Sequence, residues 1–165
     1  LVHKIYRSSA PGLPVAAYDD LSAFKIYLVD VGLIRRLAQL APTAFGEGNR
    51  LFTEFKGALT ENFVLQTLVT QFEVIPRYWT QTNPPYEVDF LIQRENDIFP
   101  VEVKSEAHTS SKSLKKFKEL FPDKVKLRVR FSLDNMKLDD DVLNIPLFMA
   151  DQADRLIGLA LEQKS

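Results

Sequence analysis

The sequence predicts an α/β domain, and three stretches carry that expectation. Tyr86 to Ile92 and Pro100 to Lys104 alternate and are rich in β-branched and aromatic residues, so each reads as a strand, with Arg94 to Asp97 as the polar turn of a β-hairpin. From Asn49 or Arg50 to about Gln71 the chain lacks proline and is dense in apolar residues, which reads as a long helix. Lys112 to Phe121 turns Leu114, Phe117 and Leu120 or Phe121 inward as a second helix, and Lys124 to Arg130 alternates basic with apolar residues as a strand does. At 165 residues and 45% hydrophobic content, the chain is long enough to bury one sizeable core.

The hairpin holds the most informative residues. A four-residue loop sets Gln93 opposite Ile98, and counting back along an antiparallel ladder sets Asp89 opposite Glu102 and Glu87 opposite Lys104. Alternation then puts the three acids and the lysine on one face, with Tyr86, Val88, Phe90, Ile92, Phe99, Val101 and Val103 on the other. Two ionised carboxylates about 5 Å apart repel by roughly 3 kcal/mol at an effective dielectric near 20, and burial adds to that. Lys104 offsets part of this, and Mg²⁺ or Mn²⁺ suits an Asp plus Glu pair. The other reading is an exposed strand face carrying ordinary cross-strand ion pairs.

The long helix adds a third acid. At 100° per residue, Glu61 shares its stripe with Ala58, Val64, Leu65, Leu68 and Phe72, so it faces the core and needs a partner. Glu54 lies near the same line two turns earlier, close to the helix start, where acids are favoured in any case.

Helix Glu61, strand Asp89, and Glu102-x-Lys104 one strand later resemble the PD-(D/E)XK nuclease-like signature. More closely, Lys25 to Leu33, Thr60 to Val64, Glu87 to Leu91, Pro100 to Ser105 and Lys112 to Phe117, in that order, are similar to the DUF4143-like C-terminal domain of unknown function found behind the P-loop domain of bacterial and archaeal AAA-type ATPases. The resemblance covers about Lys25 to Ala150. It implies a restriction-endonuclease-like core of αβββαβ order, a mixed central sheet flanked by helices, and a cytoplasmic setting. Asp89, Glu102 and Glu61 would then hold Mg or Mn, with the Val103 carbonyl as a further oxygen, while Lys104 orients the attacking water. On that view the chain is a Mg-dependent phosphodiesterase acting on DNA or RNA. The alternative is a non-catalytic nucleic-acid-binding or protein-interaction and assembly module serving the ATPase.

Other chemistries are excluded quickly. There is no cysteine, hence no thiol nucleophile or disulfide. His3 and His108 are far apart in a terminal segment and a polar loop, where solvated side chains are the ordinary case. The glycine-bearing stretch Phe45 to Asn49 lacks the lysine of a phosphate-binding loop, so no ATPase activity is expected from this chain; ATP would belong to an upstream domain of the same polypeptide. Apolar stretches are short and interrupted by charge, so no membrane partner is expected.

The net charge is −1, but its distribution is uneven: Lys112 to Arg130 holds eight basic residues against Glu119 and Asp123. Lys112, Lys115, Lys116, Lys124, Lys126, Arg128 and Arg130 form a candidate track for a phosphate backbone, the other reading being a solvated face. Asp139 to Asp141 reads as an acidic loop, and Asp151 to Leu161 as a closing helix, able to neutralise the basic row or meet another subunit in a homo-oligomer. Residues 1–24, with Pro11-Gly-Leu-Pro14 and Tyr18-Asp-Asp20, are expected to be the tail of a preceding module and a linker, leaving 25–165 as the nuclease-like domain. Lys25 to Val29 reads as a short strand and Val31 to Leu40 as an amphipathic helix, and Leu1 in place of Met fits a piece of a longer chain.

Overall fold

A computed structural model describes residues 1–45, 50–107 and 110–164. Gly46 to Asn49 and His108, weighed above, lie outside the described residues. Eight strands form one mixed sheet in the order β2-β1-β3-β4-β5-β6-β8-β7. They are β1 (Val2–Ser8), β2 (Asp19–Leu28), β3 (Arg77–Gln81), β4 (Tyr86–Arg94), β5 (Asp97–Val103), β6 (Arg128–Ser132), β7 (Lys137–Asp139) and β8 (Val142–Pro146). The helices are α1 (Val31–Leu37), α2 (Arg50–Leu68), α3 (Lys112–Leu120) and α4 (Ala153–Lys164). From α2 through β3, β4, β5 and α3 to β6, the elements run α-β-β-β-α-β.

Both faces of the sheet are covered, so its central strands are apolar on both sides. Under α2 and α4, Val64, Leu65, Leu68, Leu156 and Ile157 pack on Phe90, Ile92, Phe99, Val101, Val129 and Phe131. Under α3, Leu114 and Phe117 pack on Trp79, Val88, Leu91 and Ile98. Trp79 meets Phe117 edge-on at 5.0 Å between centroids, and Phe117 meets Phe121 at 4.9 Å, which anchors the short, lysine-rich α3. The expected register holds from the turn, with Gln93 opposite Ile98, as far as Phe90 opposite Val101; the ladder ends there, so the expected pairs of Asp89 with Glu102 and Glu87 with Lys104 are not part of it. The turn is tighter than expected, two residues instead of four, with Glu95 taking a left-handed φ of 53°.

Within residues 1–24, Val2–Ser8 and the chain from Asp19 onward are strands of the sheet, joined by residues 9–18, and not a linker ahead of it. Val2–Ser8 pairs with β2 along its length and meets β3 in parallel at Arg7 and Tyr78. The expected short strand at Lys25 is in fact Asp19–Leu28, and Asp19 takes a two-point ion pair from Arg77, at 2.7 and 2.9 Å. Buried Ile5 and Val15 join the two cores. Proline and glycine in this stretch shape the hairpin connection, which explains why it resembles a linker in one dimension.

α2 fastens this hairpin to the rest. Asn62, 1% exposed, donates to the Leu28 carbonyl and accepts from the Leu28 N–H, both at 2.9 Å. It satisfies both main-chain groups of one residue on an edge strand. Asn62→Ala is expected to cost about 2 kcal/mol, since it orphans polar groups; urea unfolding checks this, and a loss within 0.5 kcal/mol, the size of an ordinary surface change, would show water taking over both bonds.

Candidate acid and lysine site

The bulge in β4 decides the site's geometry. Arg77 pairs with Leu91 and Trp79 with Val88, so the single residue Tyr78 faces both Asp89 and Phe90. The extra residue reverses the alternation. Phe90 and Ile92 face α2, whereas Val88 joins Leu91 under α3, contrary to the expectation that Val88, Phe90 and Ile92 share a face. Glu87 is thereby carried to the α2 side.

β5 keeps its alternation. Val101 and Val103 lie on the α2 side with Val129 and Phe131, their partners on β6, so Glu102 lies on the α3 side beside its own partner, Arg130. The expected single face of acids and lysine is therefore split. Glu61, Glu87 and a new member, Lys25, occupy the α2 side; Glu102 and Lys104 occupy the other, their charged groups 2.7 Å apart. Asp89 sits at the seam where β4 and β5 part, and its carboxylate accepts the Val103 N–H at 2.7 Å.

Lys25, at the head of the first family-like segment, is central to the site. Its Nζ is 3.3 Å from Glu61 Oε1 and also pairs with Glu87, which sequence pairing had assigned to Lys104. It lies 5.1 Å from the Tyr78 ring centroid, a cation–π contact. Burial alone would lower the Lys25 pKa, but Glu61, Glu87 and Asp89 outweigh it and hold the ammonium above its ordinary value. Tyr27, two residues on, donates its hydroxyl to Glu61, and burial together with that carboxylate pushes the phenol well up. The signal was present: Lys25 and Tyr27 share a strand face with Ile5, which makes an inward lysine.

Among the described residues, Asp89 has no salt-bridge partner, although Lys25 lies near enough to act on it. Burial first, then the charges of Glu61 and Glu102, push it up to about 7, outweighing the Val103 N–H and Lys25. Glu102 is 4% exposed, and its Oε2 has no hydrogen-bond partner among the described residues. Thus Asp89 feels the charges of both Glu61 and Glu102, which stand on different sides of the sheet. Among the described residues, no group of three or more His, Asp or Glu side chains could hold a metal ion. The residues present do not fit the expected Mg or Mn centre, because Glu61 is engaged by Lys25 and Tyr27 and Glu102 lies across the sheet. Glu54 is not a second member: it is exposed and pairs with Arg50 at 2.7 Å.

The basic row is dispersed. Val125, Leu127 and Val129 are buried as expected, but the strand begins only at Arg128. Arg128 pairs with buried Asp141, whose carboxyl stays below its ordinary value because Arg128 and Lys118 outweigh the opposing effect of burial. Lys126 pairs with Asp97 at 2.8 Å and Lys116 with Glu119 at 3.8 Å, while Lys112, Lys115 and Lys124 are exposed. Arg130 donates to Asn144 at 2.9 Å and to Ser111 at 3.4 Å. Acids distant in sequence reach the row through the fold, so four aligned free charges do not form.

No described helix is long and apolar enough to cross a membrane. No curated protein and no solved structure matches the chain. A family model does match, over residues 56–148, which run from α2 to the end of β8 and include Glu61, Asp89, Glu102 and Lys104. The chain belongs to the family described as a domain of unknown function, DUF4143.

Proposed function

We propose that this chain is a nuclease-like module of an AAA-type ATPase that binds nucleic acid without cutting it. One observation carries the reading: the Lys25 ammonium lies on Glu61 and Glu87 beside Asp89, so the positive charge that a divalent cation would bring is supplied from within the fold. The α-β-β-β-α-β order and the succession Glu61, Asp89, Glu102, Lys104 support descent from a nuclease-like core. The alternation of β5 holds Glu102 and Lys104 on the α3 side, apart from Glu61 under α2, and this supports lost turnover, since phosphodiester hydrolysis by such a site needs its carboxylates to converge on one metal.

The test pairs calorimetry with two nucleic-acid assays. Mn²⁺ titrated to millimolar concentration is expected to give no saturable heat, and labelled DNA and RNA are expected to stay intact in Mg²⁺ while still being retained in fluorescence anisotropy at low salt. A Mn²⁺ site lost in Asp89→Ala, together with cleavage lost in Lys104→Ala, would overturn the non-catalytic half. Absence of retention for every DNA and RNA probe would overturn the binding half.

A further inference from the structure

We infer that the cleft beside the start of α3 is where this module holds the phosphate backbone of a nucleic-acid strand, an inference that rests on the binding reading above. The sheet register builds the site. Glu102 on β5 pairs with Arg130 on β6, Arg130 with Asn144 on β8, and Asn144 with Lys137 on β7, so one row crosses four strands on the α3 face. Beyond Glu102 this row lines a cleft of about 380 Å³, to which α3 adds Ser111 and Lys115.

Arg130 is held in place, not left to wander. Its Nε donates to Asn144 Oδ1 at 2.9 Å and its Nη1 to Ser111 Oγ at 3.4 Å. Asn144 is itself fixed: it is 3% exposed, donates to the carbonyls of Asp134 and Asn135 at 3.1 and 3.0 Å, and accepts from Ser132 Oγ at 2.7 Å. Ser111 does not cap α3 with its side chain; its hydroxyl serves Arg130. A guanidinium oriented by a buried amide loses little freedom on meeting a phosphate.

The ligand's polymeric nature follows from extent. Arg130 and Lys137 are two strands apart, about 10 Å at the strand spacing, which suits neighbouring phosphates of a chain better than one free ion. A second cleft of about 360 Å³ shares Lys115 and Arg128 with the first and reaches Lys118 and Lys164. Glu119, Asp140 and Asp141 also line it, with Asp141 pairing Arg128 and Lys118, so the backbone track is confined to the first cleft. Asp134 and Asp139 also line the first cleft, and Lys137 pairs with Asp139 at 3.0 Å, but both of those side chains are about two-thirds exposed or more, so water screens the pair and the lysine can turn to a phosphate.

The experiment is anisotropy of a fluorescein-labelled single-stranded oligonucleotide and its duplex against salt. The wild-type domain is compared with Lys115→Glu/Lys137→Glu and with Lys124→Glu/Lys126→Glu, each checked for intact folding by circular dichroism. Reversal at Lys115 and Lys137 is expected to raise Kd at least about tenfold and to flatten the slope of log K against log salt by about 1.5, the value for two lost phosphate contacts. If that variant binds as wild type does, the cleft inference is overturned. Should reversal at Lys124 and Lys126 then be what weakens binding, the binding reading survives with the backbone placed elsewhere; if wild type itself binds neither probe, both fall together.

Discussion

Lys25→Met is expected to destabilise the protein by about 3 kcal/mol near neutral pH and by much less in mild acid. The substitution keeps an unbranched chain of similar length in β2 but removes the ammonium from Glu61, Glu87 and Asp89. Breaking a buried ion pair by deleting one partner costs about 3–5 kcal/mol, because the remaining charges stay desolvated. The lower end applies here, since the Lys25 and Glu61 side chains are about a quarter exposed. The pH dependence follows from linkage. Lys25 is among the groups that hold the Asp89 pKa down, so without the ammonium that pKa rises further; the folded variant then takes up a proton that its unfolded chain does not, and the penalty fades as pH falls. Urea unfolding at about pH 8 and about pH 5 checks this. Adding Glu61→Gln to the variant is expected to recover part of the loss at the higher pH. A loss below 1 kcal/mol that is the same at both pH values would mean that the pairs are effectively solvated, as at an ordinary surface.

Asp89→Asn is expected to act in the opposite direction, stabilising the protein at about pH 8 by roughly 2–4 kcal/mol. Burial and the neighbouring carboxylates push Asp89 up to about 7 in the fold, from an ordinary aspartate value of 3.8. Between those values the folded state binds more protons than the unfolded one, so stability falls as pH rises, and above about pH 7 the whole penalty is present. A difference of that size sets an upper bound of about 4 kcal/mol, and partial exposure of Asp89 lowers it. Asparagine retains an oxygen for the Val103 N–H, so the seam between β4 and β5 stays closed while the titration is lost. Variant and wild type should therefore converge below about pH 4. Destabilisation by Asp89→Asn at about pH 8 would show instead that the ionised carboxylate is a needed partner of Lys25.

These two substitutions probe a cluster that was half visible in the sequence. Glu61 was legible because a helix has a fixed period and an acid among Val64, Leu65 and Leu68 stands out. The hairpin register was legible because a short turn fixes pairing by counting. The common face of Glu87 with Glu102 and Lys104 was misread because a bulge in β4 depends on how β3 docks, and β3 lies outside the hairpin's own pattern. Lys25 was overlooked as a site residue for a related reason. Its partners stand 36 and 62 positions away, and only sheet order brings them together.

By itself, then, the sequence determined the local periods: the two central strands and their pairing, the helices before and after them, the succession of acids and lysine, and family membership over residues 56–148. These are short-range matters, set by backbone geometry and by alternation of side chains. Tertiary structure decided which charges meet. It drew Val2–Ser8 and the chain from Asp19 into the sheet, set Lys25 on Glu61 and Glu87, and matched Arg128 with Asp141 and Lys126 with Asp97. The physical reason is that a charge is neutral in its preference until burial makes an unpaired one costly, and the partner that relieves it is chosen by strand order and register, not by nearness in sequence.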